Sequence, residues 1–147
     1  MRHTLTLFFI LISPNLLTAV DDSPWLTDYE TAIQRALFEK KPILLSFTGS
    51  DWCIWCQKLD AELFHMPEFL LGIDKVAVPV RVNFPQRRRL QPVQTKTNRI
   101  LKDRWKVDTF PTVILYDPQT DEFIWRHGYL NTKADEYLLA IKEVASP

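Results

Sequence analysis

The sequence is poor in glycine and in cysteine. Among 147 residues there are 3 glycines and 2 cysteines. The glycines, Gly49, Gly72 and Gly128, are too scattered to form a loop that cradles phosphate. Two cysteines are too few for a disulfide scaffold or a four-cysteine zinc site, and neither His65 nor His127 has metal-ligand spacing to them. No metal site is therefore expected. There is no excess charge, with 18 Lys+Arg against 18 Asp+Glu. This balance gives no support to nucleic acid or a membrane surface as the main partner. No apolar run approaches the about 20 residues that cross a bilayer. No flavin or nicotinamide fingerprint is present, so no cofactor is expected and electrons must come from another protein.

The first residues read as an export signal. Arg2 is followed by an apolar stretch from Leu5 to Ile12, a breaker at Pro14 and a small-residue end at Ala19. We therefore expect a cleaved leader over residues 1–19, a single domain over residues 20–147, and a periplasmic location without a stable membrane anchor. An exported protein sits where disulfides persist, yet this one has no cysteine to spare for a structural crosslink.

Both cysteines fall in Trp52-Cys53-Ile54-Trp55-Cys56, directly after the apolar run Ile43-Leu44-Leu45-Ser46-Phe47-Thr48. If a helix opens near Cys53, the i,i+3 spacing puts both sulfurs on one face of its first turn. Unpaired N–H groups and the helix dipole there favour a thiolate. A thiolate beside a second thiol is the equipment for thiol–disulfide exchange. A loop closed by so short a crosslink would stabilise the fold little, which argues against a purely structural pair.

Around this motif the pattern reads α-β-α-β-α-β-β-α. Thr27-Asp28-Tyr29-Glu30 resembles a capping box that opens a helix running to Lys40. Residues 43–48 form a buried strand, followed by a helix from about Cys53 to His65 that Pro67 ends. A strand covers residues 76–83, with Pro79 placed where a ladder bond is dispensable. Residues 85–97, including Arg87-Arg88-Arg89, read as a polar loop; such an arginine run is usually just solvated. A helix over 98–105, strands over 112–116 and 122–126 joined by a turn, and a helix capped by Thr132 complete the chain. Two parallel βα units followed by a hairpin and a closing helix imply a three-layer α/β/α sandwich with a central mixed sheet.

With Trp52-Cys53-Ile54-Trp55-Cys56, Phe110-Pro111-Thr112 and Gly128, the chain resembles the thioredoxin superfamily over roughly Trp25 to Val144. Gly49-Ser50-Asp51 and Asn83-Phe84-Pro85 make it most similar to exported single-domain bacterial members, the periplasmic oxidoreductases. The resemblance implies that Cys53 is the nucleophile and Cys56 the resolving cysteine. It also implies a cis Phe110–Pro111 bond facing them. Proline suits such a bond because cis X–Pro costs only about 0.5–1 kcal/mol over trans. Trp52, Trp55, Phe110 and Pro111 are then candidates to grip an extended polypeptide. For Trp52, packing against the domain is the stronger reading; for Trp55 it is exposure for a substrate.

Two features depart from the family pattern. Ser46 stands where thioredoxins carry a buried acid, which leaves the proton route from Cys56 open. Asp51 is nearby, but its expected role is to cap the active-site helix. The intervening Ile54-Trp55 offers no charged donor to a sulfur, which points to a less stabilised thiolate and a less oxidising disulfide. The expectation is a protein-disulfide reductase, acting as a monomer on cysteine-containing exported proteins. An oxidase or isomerase, or a thioredoxin-like metal-binding assembly factor, are the rivals.

Overall fold

The computed structural model describes residues 23–145, so the expected leader lies outside the described residues. The elements are α1 (Tyr29–Glu39), β1 (Ile43–Thr48), α2 (Ile54–Leu59) running into a π-helical turn (Asp60–Phe64), α3 (Pro67–Val76), β2 (Val78–Asn83), α4 (Pro92–Arg104), β3 (Thr112–Asp117), β4 (Glu122–His127) and α5 (Ala134–Ala145). The sheet order is β2-β1-β3-β4. β1 and β2 are parallel, while β1–β3 and β3–β4 are antiparallel. This is the expected mixed sheet. Among the described residues no helix is long and apolar enough to cross a membrane.

Side chains alternate across the sheet, so each strand feeds two cores. Ile43, Leu45 and Phe47 of β1 join Val78, Val80 and Val82 of β2 and Ile114 and Tyr116 of β3 beneath α1 and α4. Leu44, Val113 and Leu115 face the other way, onto Leu59, Leu63, Phe64, Phe69, Ile73, Tyr137 and Ile141 of the remaining helices. Each large apolar side chain so buried contributes about 1.5–3 kcal/mol. The result is three layers, with β1 buried on both faces along its whole length.

Local chemistry sets the element ends. The Asp28 carboxylate caps α1 by accepting from the Thr31 N–H at 2.7 Å, one residue later than a capping box at Thr27 would place it. Lys40 closes the helix in the left-handed region at φ 53°. Pro79 lies in the edge strand. Its carbonyl accepts from Leu26 N–H at 2.9 Å, on the outer side of β2, so its missing N–H also faces outward, away from the β1 ladder.

Two helices differ from the sequence expectation. Residues 67–76 form α3, and the helix expected over 98–105 begins at Pro92 instead. In both cases proline occupies the start of the helix, where an N–H has no intrahelical partner and its absence costs nothing. Gly72 lets α3 approach α5 closely, because a Cβ there would overlap Leu138.

The parallel pairing of β1 with β2 matters most for function. It aligns Thr48 with Asn83, so the segments after both strands emerge side by side. The Phe84 N–H donates to the Thr48 carbonyl at 2.8 Å and continues the ladder into them.

Candidate active site

Residues 49–53 form a tight turn between β1 and α2. Both the Trp52 and Cys53 N–H groups donate to the Gly49 carbonyl, at 3.2 and 2.8 Å. The buried Asn83 side chain clamps the turn from the neighbouring strand: its Oδ1 accepts from Ser50 N–H at 3.1 Å and its Nδ2 donates to Ser50 Oγ at 2.8 Å. The Asp51 carboxylate does not cap α2, contrary to expectation. It accepts from the backbone N–H groups of Gln86 and Arg87, at 3.0 and 2.8 Å. These bonds, that of Gln86 first, hold its carboxyl below the usual carboxylate range. The residue that caps α2 is Cys53, because the chain turns into the helix two residues later than an Asp51 cap requires.

Cys53 and Cys56 are joined in a disulfide with their Cα atoms 5.2 Å apart. Cys56 N–H points at Cys53 Sγ at 3.2 Å, and Gly49 N–H points at Cys56 Sγ at 3.5 Å. Cys53 is 7% exposed and Cys56 2%. The Cys56 N–H is therefore placed to stabilise negative charge on Cys53 when the pair is reduced. Cys56 is buried, as are Leu59 and Leu63 three and seven residues later.

The four residues expected to contact a substrate divide into two groups. Trp52 is anchored by its indole N–H, which donates to the Phe84 carbonyl at 2.7 Å, and lies over Gly49, where a Cβ would overlap the ring. Its ring meets Phe110 edge-on at 5.7 Å, and Phe110 meets Phe84 at 5.4 Å. The bond from Phe110 to the buried Pro111 is cis. Trp52 is thus held by the domain and remains 40% exposed. Trp55 is 52% exposed and stands apart, against Tyr129 at 5.2 Å with the Lys58 ammonium 5.3 Å from each ring. Phe84, Tyr129 and Lys58 were not assigned roles from sequence. Asn83-Phe84-Pro85 stands out as a motif in the sequence, but the contact of Phe84 with Trp52 spans 32 positions and has no local signature.

Beneath the turn Ser46 is 3% exposed and pairs in register with Arg81. The Arg81 guanidinium binds Asp60 at 2.6 Å and lies over Trp25 at 4.9 Å. The acid on this side of the sheet is thus already neutralised by a cation. Among the described residues no three His, Cys, Asp or Glu side chains converge into a metal-binding group.

Such a pair can pass between disulfide and dithiol, taking or giving two electrons in exchange with another dithiol or disulfide. Comparison with known proteins agrees with this chemistry. The disulfide bond reductase DsbH of Chlamydia pneumoniae is 35% identical over 91 residues, covering 62% of this chain and 55% of that protein. The thioredoxin-related protein DsbJ of the same organism is 32% identical over 108 residues, covering 74% of this chain and 31% of that protein. The matches thus span about half or less of these curated relatives. A solved DsbH oxidoreductase superposes with a TM-score of 0.75 at 28% identity, over 99% of this chain and 94% of that one. The family model for the thioredoxin-like domain matches residues 29–145. By that match, and by the mixed sheet and the cysteine-bearing turn it encloses, the chain belongs to the thioredoxin-like domain family.

Proposed function

We propose that the protein is an exported thiol–disulfide oxidoreductase that works mainly as a reductant of protein disulfides. The observation that carries this reading is the asymmetry of the two sulfurs. Cys53, the more exposed, caps α2 and receives the Cys56 N–H, whereas Cys56 is enclosed. Cys53 attacks one sulfur of a substrate disulfide and releases the other as a thiolate. Cys56 then attacks Cys53 in the mixed disulfide, releasing the second substrate thiol and leaving the Cys53–Cys56 disulfide. Trp52 and Phe110 line one side of the approach and Trp55 the other, and an extended substrate lies between them.

The direction of exchange follows from charge. Neither Ile54 nor Trp55 brings a cation to the sulfurs, and Asp51 places a carboxylate in the same turn. Lys58 is turned to the Trp55 and Tyr129 rings and to Glu62. With little to stabilise the thiolate beyond backbone N–H groups, the disulfide is a weak oxidant and the dithiol a good reductant. The similarity to DsbH, a disulfide bond reductase, supports the same direction. The substrates are cysteine-containing exported proteins in the periplasm, and a separate protein donor returns the electrons to the monomer.

The test is trapping. Cys56→Ala accumulates mixed disulfides on Cys53 with substrate proteins, seen as reducible adducts on non-reducing gels, and Cys53→Ala does not. Equal trapping by Cys53→Ala would show that the two roles are reversed.

A further inference from the structure

The segment after β2 holds a feature that disulfide exchange does not use. Residues 84–91 and α4 enclose a cleft of about 720 Å³ lined by Phe84, Pro85, Leu90 and Ile100 and rimmed by Arg88, Arg89, Lys96 and Arg99. Asp103 is the one acidic residue in its lining. All four cations are exposed, and none has an ion-pair or hydrogen-bond partner among the described residues. Elsewhere several of the described cations are neutralised by ion pairs. Arg35 is paired with Glu39 and Asp74, Arg81 with Asp60 and Arg104 with Asp121. In a chain with 18 cationic and 18 acidic side chains, four unneutralised cations around one cleft form a local positive field.

The cleft is joined to the active site by structure. Phe84 lines it, accepts the Trp52 indole N–H and packs on Phe110. Asp51, in the cysteine turn, holds the N–H groups at the root of the arginine run. The ring steps from Trp52 to Phe110 and from Phe110 to Phe84 are 5.7 and 5.4 Å. An extended chain at roughly 3.3 Å per residue covers the path between those rings in about three to four residues.

We infer that this cleft binds an acidic segment of the substrate protein, about four residues from the cysteine that reacts with Cys53, and so selects among disulfides. This inference rests on the proposed exchange at Cys53. The occupant is a polypeptide because the cleft is concave and its lining reaches down to the buried Asn98, past Phe84 and Ile100. A flat anionic surface cannot enter it, whereas a chain can insert carboxylate side chains between the cations.

The experiment uses the full chain and two sets of probes. A fluorescent, cysteine-free hexaglutamate peptide is compared with hexaglutamine by anisotropy. Separately, peptide disulfides flanked by glutamate or by glutamine four residues from the cysteine are offered to the reduced protein. Hexaglutamate is expected to bind roughly tenfold tighter than hexaglutamine at low salt, with the difference lost at high salt and in R88E/R89E and K96E/R99E. The glutamate-flanked disulfide is expected to react faster by a similar factor, a preference that falls to about one in both variants. Equal binding of the two peptides, or binding that survives both charge reversals, overturns the inference. So does binding without any rate preference. Binding to phosphatidylglycerol vesicles but not to hexaglutamate would replace the peptide with a membrane surface and overturn it too. If neither peptide disulfide is reduced, the exchange reading itself falls and the cleft cannot serve it. If the glutamine-flanked peptide is reduced without preference, exchange stands and the cleft's role falls.

Discussion

Two segments leave the sheet side by side, one after β1 and one after β2, and they have been put to opposite use. Residues 49–53 are bonded at almost every step: Ser50 to Asn83, Trp52 to Phe84, Asp51 to Gln86 and Arg87, Cys53 to Gly49. Residues 84–91 are held at their root by those same bonds, while Arg88 and Arg89 project unpaired. Exchange chemistry needs sulfurs fixed to within fractions of an ångström. Selection of partners needs exposed charge that can vary without disturbing them. Parallel pairing of β1 with β2 places both on one rim, so one segment can react while its neighbour chooses.

The largest effects are expected in the rigid segment. Cys53→Ala should reduce disulfide exchange to the uncatalysed background, measured with insulin or a peptide disulfide. Retained exchange would move the chemistry away from this turn.

Next come the clamps. Asn83→Ala leaves Ser50 N–H and Oγ without their partners at a partly buried position, and should destabilise the protein by about 1 kcal/mol in urea unfolding. Gly49→Ala puts a Cβ into the Trp52 indole, breaks its bond to the Phe84 carbonyl and should cost about 1–3 kcal/mol. A neutral result for both would mean that the first segment is no more rigid than the second.

The link between the segments gives a smaller, local effect. Asp51→Ala frees the Gln86 and Arg87 N–H groups, so trypsin should cut after Arg87, Arg88 or Arg89 several-fold faster at unchanged global stability. Unchanged cleavage would show that the carboxylate does not tether the loop.

The weakest effect lies away from both segments. Burial pushes the His127 imidazole below its usual range, partly opposed by its bond to the Gly128 carbonyl. Its ring nitrogens lie 2.6 Å from that oxygen and 2.5 Å from the Tyr137 hydroxyl, a geometry that suits the neutral ring: Nδ1–H donates and Nε2 accepts. A histidine with a lowered folded pKa contributes stability that is present above its unfolded value, about 6.5, and lost as pH falls through the lower folded value. Melting temperature should therefore fall as pH drops from 7 to 5, with a flatter profile in His127→Gln. The ratio of exchange rates between acidic and neutral substrates should not follow that change.

What could be read from sequence follows from how local each signal is. β1 was legible to the residue and β3 to within one, because an apolar run bounded by Pro42 and Gly49, or by Pro111 and Pro118, carries its own limits. The cysteine pair was legible as a local motif, whereas the cis Phe110–Pro111 bond was legible only through the family resemblance. Pro67 reads as a helix end and Pro92 falls in a stretch that reads as a loop, although the ring that stops a helix is tolerated at its first position; only packing on the rest of the domain tells the two apart. Asp51 beside a helix start looked like its cap, but its partners lie 35 and 36 positions away. The clamp of Asn83 on Ser50, across 33 positions, was invisible for the same reason. The chemistry of the site was local in sequence; the frame that holds it is made by strand pairing.

The central claim, a dithiol tuned to donate electrons, is tested most directly by the redox potential of the Cys53–Cys56 pair, equilibrated with dithiothreitol or glutathione buffers and read by thiol trapping. A value near about −270 mV, typical of thioredoxin, is the predicted result. A value towards about −120 mV would mark a disulfide donor and contradict the account.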